Sequence, residues 1–89
     1  MRGKFFYVFW YTSNGDDEGF YIRANSAKEI WDALEAKYVD ADEYIEVMEA
    51  NRFPNKWAYI KNGRIMYTDE DYGPVEVEID FLTEKEEEE

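Results

Sequence analysis

The sequence KFFYVFWYT occupies residues 4–12, and this run of aromatic and β-branched side chains decides the fold. Such residues favour a strand over a helix. Successive side chains of a strand point to opposite faces, so Phe5, Tyr7, Phe9 and Tyr11 share one face. The other face carries Phe6, Val8, Trp10 and Thr12. Because both faces are apolar, the run predicts a central strand that needs a cover on each side.

The residues after this strand predict a hairpin and then a helix. Residues 13–19 are rich in Gly, Asn and acids, which indicates a loop, and residues 20–24 form the returning strand. Ser26 and Glu29 have the spacing of a capping box, in which both side chains accept backbone N–H groups at a helix start. The helix is predicted to end near Tyr38. The residues spaced to face a core are Ala27, Ile30, Trp31, Leu34 and Tyr38.

The C-terminal half predicts more strands. Residues 40–51 fit either a second helix or a strand at 44–50, and the strand is favoured because a helix would need a very tight connection at 39–42. Asn62-Gly63 predicts a type I′ turn between strands at 57–60 and 65–68. Residues 69–74 form another loop. Residues 75–81 alternate apolar and acidic side chains, which predicts a strand with one dry and one anionic face.

These elements predict an α+β domain with a mainly antiparallel sheet, in the order ββαββββ, and one helix packed on one face. At 89 residues the chain has room for one hydrophobic core. We therefore expect a single domain over residues 1–82. Residues 83–89 are nearly all acidic and predict a disordered tail.

Composition excludes several classes of function. The chain has 22 acids and 10 bases, a formal charge of −12, and neither His nor Cys. It therefore lacks the usual general base, the thiol nucleophile and the commonest metal ligands. Residues 14–19 resemble the opening of a calcium-binding EF-hand loop, but Asn25 stands where the bidentate Glu belongs. We expect no catalytic residue, metal or cofactor.

The apolar run at 5–11 is too short to cross a membrane, so a cytoplasmic protein without membrane contact is expected.

The negative charge is unevenly distributed along the chain. Residues 1–66 carry 11 acids and 9 bases, whereas residues 67–89 carry 11 acids and only Lys85. Such a chain repels a phosphate backbone, so no direct nucleic-acid binding is expected. Acids on one strand face form a regular anionic row that could imitate phosphates, although an edge strand also keeps charges to prevent aggregation. The predicted acidic binding residues are Asp69, Glu70, Asp71, Glu76, Glu78 and Asp80, followed by Glu43, Glu46 and Glu49.

The aromatic residues suggest a second surface. One helix covers one sheet face, so the other apolar face needs a second helix, a dimer partner or a bound target. A homodimer is therefore one expectation, and ordinary core packing is the alternative for any single residue. The aromatic candidates for a partner or dimer surface are Tyr7, Tyr11, Tyr21, Tyr67 and Tyr72.

In size, acidity, aromatic content and absence of His and Cys, the chain resembles the small acidic proteins with which phages inhibit host proteins. These include DNA-mimic anti-restriction and anti-CRISPR proteins, and inhibitors of uracil-DNA glycosylase and of histone-like proteins. The resemblance covers no sequence motif. It implies a non-enzymatic inhibitor that occupies the basic site of a host nucleic-acid-binding or defence protein. The alternative is a dimeric adaptor that binds through its aromatic sheet face and is acidic only for solubility.

Overall fold

The computed structural model describes residues 3–11, 15 and 17–85 and has an α+β fold. Strands β1 (Lys4–Tyr11) and β2 (Asp17–Ala24) precede helix α1 (Ala27–Lys37) and the short helix α2 (Ala41–Tyr44). Strands β3 (Ile45–Glu49), β4 (Ala58–Lys61), β5 (Arg64–Asp69) and β6 (Gly73–Glu76) follow. They form one sheet in the order β3-β1-β2-β4-β5-β6. The predicted class is confirmed, and the order roughly matches the predicted ββαββββ, with the short helix α2 as an addition.

All neighbouring strands are antiparallel except β2 and β4, which are parallel. In the central pair, Tyr7 lies opposite Tyr21 and Val8 lies opposite Phe20. Strand β3 pairs with β1 and β4 pairs with β2, so residues 50–57 must cross from one side of the central pair to the other. This crossing covers part of the sheet face that α1 leaves open, which we call the open face.

Helix α1 begins as the sequence predicts, but its N-terminal contacts differ from a reciprocal capping box. The Glu29 N–H donates to Ser26 Oγ at 3.3 Å, while Glu29 Oε1 accepts the Asn25 N–H at 2.9 Å. The Glu29 carboxylate thus binds one residue earlier than predicted. The helix ends at Lys37, and Tyr38 is its C-cap. None of the helices in the described part of the chain is long and apolar enough to span a bilayer.

The core lies between α1 and the sheet. Ile30 and Leu34 of the helix meet Val8 and Ile22 of the two central strands. These four are the largest fully buried side chains among the described residues. The helical face predicted from spacing is correct: Ile30, Leu34 and Tyr38 are buried, and Ala27 and Trp31 are partly buried against the core. Ala33 adds to this face.

Residues 40–51 form both of the elements that their sequence allows. The chain turns at Asp40, which has a left-handed backbone (φ 61°), and helix α2 then makes a single turn before β3 begins. Asp is one of the few non-glycine residues that adopt this conformation readily. The preference for a strand alone was therefore incomplete, because Asp40 supplies the tight connection.

The two predicted turns of the C-terminal half have different outcomes. Asn62 and Gly63 both have positive φ between β4 and β5, as the type I′ prediction requires. The predicted strand at 75–81 is wrong beyond Glu76, where β6 ends. Residues 77–85 instead return along the end of α1, because Ile79 and Leu82 are buried in the core.

The Tyr38 hydroxyl holds this returning segment in place. It accepts the Ile79 N–H at 2.7 Å in a buried position. Replacing Tyr38 by Phe leaves that N–H without its partner, so we expect the free energy of unfolding to fall by about 1–3 kcal/mol. Urea unfolding measures the change. Tyr44→Phe is the control, since Tyr44 is exposed. An equal loss in both variants would contradict a specific role for this hydrogen bond.

Candidate partner-binding surfaces

The predicted acidic residues separate into distinct regions of the structure. Asp69, Glu70 and Asp71 lie at the β5–β6 turn, at the opposite end of β5 from Arg64. Strand β5 has six residues, so these two ends are about 17 Å apart. Strands β3 and β6 form opposite edges of the sheet, about 24 Å apart at the usual strand spacing. The predicted residues therefore do not form one continuous surface.

Three of the predicted acids on or next to strands β5 and β6 are already engaged within the chain. Asp69 Oδ1 accepts the N–H groups of Asp71 and Tyr72, which fixes the turn. Glu70 pairs with Lys56 at 3.2 Å. Glu76 is more strongly engaged, because it lies within 3.3 Å of Lys37 and 3.1 Å of Arg64. Glu76 therefore has a structural role. The predicted anionic row at residues 76–80 does not form, because ion pairs neutralise Glu76 and strand β6 ends at this residue.

Lys37 shows how the ion pair at Glu76 is built. Its side chain is largely buried and also donates to the carbonyl of Val77 at 3.0 Å. Burial lowers the pKa of Lys37, but Tyr38 and the Glu76 carboxylate outweigh it, and the pKa lies above its ordinary value. Lys37 is therefore firmly charged, and it fixes Glu76 and the start of the returning segment at the end of α1.

Other acids come together at the C-terminal end of α1. Residues 38–44 and 77–85 run side by side there, because Val39 N–H donates to Thr83 O and Lys85 N–H donates to Lys37 O. The Phe81 ring also packs edge-on against Tyr44 at 5.8 Å. We call the exposed acids on these two segments the helix-end cluster. Its members are Asp40, Asp42, Glu43, Glu78, Asp80 and Glu84.

The helix-end cluster is strongly negatively charged. Within the described residues, none of its six members forms an ion pair. Three members, Glu43, Glu78 and Asp80, are predicted binding residues, and they come from both of the predicted sets. Asp40, Asp42 and Glu84 were not predicted, because their proximity depends on the path of residues 77–85.

The remaining predicted acids lie elsewhere. Glu49 pairs with Lys4 at 3.2 Å, and Glu46 is exposed at the β3 edge of the open face opposite Phe9. Of the predicted tail, residues 83–85 contact the end of α1, and residues 86–89 lie outside the described part of the chain. Among the described residues, no three carboxylates are grouped closely enough to hold a metal ion.

The open face carries a continuous group of aromatic rings. The rings of Tyr21, Tyr7, Phe9 and Tyr11 follow one another with centroid distances of 4.8, 5.8 and 6.0 Å. Phe5 continues this group toward the crossing loop, where it contacts Phe53 and Trp57 edge-on at 5.5 and 5.1 Å. Three predicted aromatic residues, Tyr7, Tyr11 and Tyr21, thus lie together.

The other two predicted tyrosines lie apart from the open face. Tyr67 packs against the core on the α1 side of the sheet, and Tyr72 is 82% exposed at the β5–β6 turn. Phe5 and Phe9 belong to the open face by simple alternation with Tyr7. Phe53 could not be assigned from sequence, because its position depends on residues 50–57 crossing the central strands.

Basic side chains accompany the aromatic rings. The Arg23 guanidinium lies over Phe5 at 5.8 Å, and that of Arg52 lies over Tyr21 at 5.7 Å. Strand register places Lys61 on the same side of the sheet as Arg23. The open face therefore combines aromatic rings with basic side chains, whereas the helix-end cluster is acidic.

One concave site is also present. A cleft of about 540 Å³ lies between the end of α1, the β4–β5 turn and residues 76–79, and it is lined by charges of both signs. Its polar groups include the Lys37–Glu76–Arg64 ion pairs, which already satisfy one another.

No protein-family model, curated protein or solved structure matches this chain.

Proposed function

We propose that this chain is a non-enzymatic protein-binding domain that acts as an acidic mimic of nucleic acid. It would inhibit a host nucleic-acid-binding or defence protein by occupying the basic site of that protein. The helix-end cluster carries the proposal, because six exposed acids that form no ion pair with any described residue lie on two hydrogen-bonded segments. A polyanion is recognised mainly through its charge, so a compact acidic surface can compete for the same basic groups.

The two segments that carry the helix-end cluster are anchored to the core, which favours binding. Buried Ile79 and Leu82 anchor residues 77–85 on one side, and buried Ala41 anchors helix α2 on the other. The acids between these anchors are held in place before a partner arrives, so their backbone loses little further freedom on binding. Their field would also speed association with a basic groove.

The proposed site differs from the predicted row. Glu76 is excluded because Lys37 and Arg64 neutralise it, and Asp69 is excluded because it fixes a turn. Of the predicted acids, Glu78, Asp80 and Glu43 lie in the helix-end cluster, and Asp42 joins them. These four residues are exposed and can be changed without disturbing the core.

Charge reversal tests this proposal. The variant Asp42→Lys, Glu43→Lys, Glu78→Lys and Asp80→Lys is compared with a control that reverses Glu18, Glu35, Glu70 and Asp71, which lie outside the cluster. Both variants have the same net charge. Each protein serves as bait at low salt in an extract of host cells, and bound proteins are challenged with duplex DNA. We expect the wild-type chain and the control to retain nucleic-acid-binding proteins, and we expect DNA to displace these proteins. The cluster variant should bind the same proteins at least about 100-fold more weakly.

Three outcomes would contradict the mimic. Equal loss of binding in both variants would show that net charge alone matters. Retention by the cluster variant would place the binding surface elsewhere. Complexes that resist both salt and DNA would favour a second candidate, the dimeric adaptor that binds partners through its aromatic face, because apolar contacts are little affected by ionic strength. The continuous ring group on the open face is the observation that favours this second candidate.

A further inference from the structure

The two edge strands of the sheet, β3 and β6, are protected unequally against pairing with a further strand. In β6, the hydrogen bond from Val77 N–H to Ile65 O fixes the alternation of inward and outward residues, so Pro74 stands at an outward position. Proline has no N–H to offer there, and the chain leaves the sheet after Glu76. Strand β3 contains neither proline nor glycine, and no described segment pairs with its outer side. The β3 edge is therefore the accessible one.

Strand register shows which backbone groups of β3 face outward. The Ala50 N–H donates to the Phe5 carbonyl at 2.9 Å, so these two residues form a hydrogen-bonded pair of the antiparallel ladder. Such pairs alternate along the strands, which places every second residue before Ala50 in the ladder with β1. Val47 and Glu49 fall between them and direct both N–H and C=O away from the sheet. Outward groups of this kind are the template on which a further strand is added.

The side chains of β3 define the chemistry that a further strand would need. Glu46 and Met48 are exposed on the open face, and Val47 is partly buried against the core on the other face. Side chains of neighbouring strands lie about 4.5–5.5 Å apart at Cβ. Lys or Arg on the open-face side would match Glu46 with its charge and Met48 with its apolar stem. An apolar residue would match Val47, so the complementary segment alternates basic and apolar residues.

Charge favours a basic segment over a second copy of this chain at the β3 edge. Pairing of two β3 strands would bring Glu46 of both copies to the same contact, and each copy has a formal charge of −12. Like charges on adjacent strands are destabilising. The edge is also continuous with the helix-end cluster, because Glu43 lies in α2, which ends immediately before β3. A basic segment on the edge would therefore run toward the acids of the cluster.

We propose that the outer edge of β3 accepts an extended basic segment of the target protein as a seventh strand. The segment pairs through its backbone with Val47 and Glu49, and it continues toward the helix-end cluster. This inference rests on the proposed function, since the acidic mimic is what requires a basic partner. It adds a source of specificity, because charge attracts any polycation, whereas backbone pairing selects a protein segment that can become a strand.

A nuclear magnetic resonance titration of the isotope-labelled full chain with a short peptide of alternating Lys and Val tests the proposal. We expect the amide protons of Val47 and Glu49 to exchange with solvent at least about tenfold more slowly in the complex, because each gains a hydrogen bond. The same peptide with N-methylated amides keeps its charges but cannot donate backbone hydrogen bonds. We expect it to bind the wild-type chain at least about tenfold more weakly.

The substitution Glu49→Pro tests the edge from the side of the protein. It removes the outward N–H and leaves the ladder with β1 intact, as proline does at the solvent side of an edge strand. Glu49→Gln is the matched control, since it loses the same charge and the ion pair with Lys4 but keeps the N–H. We expect Glu49→Pro to raise the dissociation constant of the Lys-Val peptide at least about tenfold above that of the control. Circular dichroism establishes that both variants are folded, and the N-methylated peptide gives a decisive result on the wild-type chain in any case.

Several results would overturn the β3 proposal. Equal affinity for the two peptides, or equal losses in Glu49→Pro and Glu49→Gln, would show that charge alone holds the peptide. Self-association through β3 at rising concentration would assign the edge to a second copy. Proteins from the host extract that DNA displaces, but that Glu49→Pro binds as well as Glu49→Gln does, would leave the acidic mimic standing and remove the β3 pairing. Peptide pairing at Val47 and Glu49 without any such host protein would support the edge site and contradict the mimic.

Discussion

Replacing Ile30 by Ala is expected to lower the free energy of unfolding by about 2–5 kcal/mol. Ile30 is fully buried in the first half of α1, in the same core cluster as Val8 and Ile22 of the sheet. Truncation removes apolar contacts and leaves a cavity that a helix fixed at both ends cannot readily fill. A domain of 89 residues has a small margin of stability, so much of the protein would be unfolded in mild denaturant.

Urea unfolding followed by circular dichroism measures this change. Glu35→Ala is the matched control, because it places Ala on the exposed side of the same helix. We expect the control to shift the free energy of unfolding by less than about 0.5 kcal/mol. If Ile30→Ala were as mild as the control, α1 would not be the principal cover of the sheet.

Gly19→Ala is expected to destabilise the domain by about 3 kcal/mol, at the upper end of the usual cost of overpacking. Gly19 pairs with Phe9 across the central strands. An added Cβ would overlap the Val8 carbonyl oxygen and would lie 2.8 Å from the Phe9 Cβ. The oxygen belongs to the neighbouring backbone, so only a displacement of β2 from β1 relieves the overlap.

The neighbouring substitution Glu18→Ala provides the control for Gly19→Ala, since Glu18 is exposed and already carries a Cβ. Thermal unfolding compares the two variants. Equal melting temperatures for the two variants would show that the strands are farther apart than described.

Local sequence signals account for most of the fold. The aromatic run of β1, the helix start at Ser26 and the turn at Asn62-Gly63 each act over a few residues, and each appears in the structure. The order of strands in the sheet could not be predicted in the same way. It depends on β3 joining β1 and on β4 joining β2, which are pairings between distant residues.

The C-terminal segment shows why alternation alone was insufficient. Residues 75–81 alternate as a strand should, yet the chain leaves the sheet after Glu76. In a sheet, the Ile79 N–H would donate to a carbonyl of a neighbouring strand. Here it donates to the buried Tyr38 hydroxyl instead. The same departure places Glu78 and Asp80 on the segment that lies against the end of α1. The error in secondary structure and the unexpected composition of the acidic surface therefore have one cause.

The central claim is that a partner-binding acidic surface lies at the end of α1. The most direct measurement is a nuclear magnetic resonance titration of the isotope-labelled chain with a short arginine peptide at low salt. We predict saturable shift changes centred on Asp42, Glu43, Glu78 and Asp80, with small changes at Phe9 and at the β5–β6 turn. Changes of equal size at Glu70 and Asp71, or changes confined to residues 86–89, would contradict the claim.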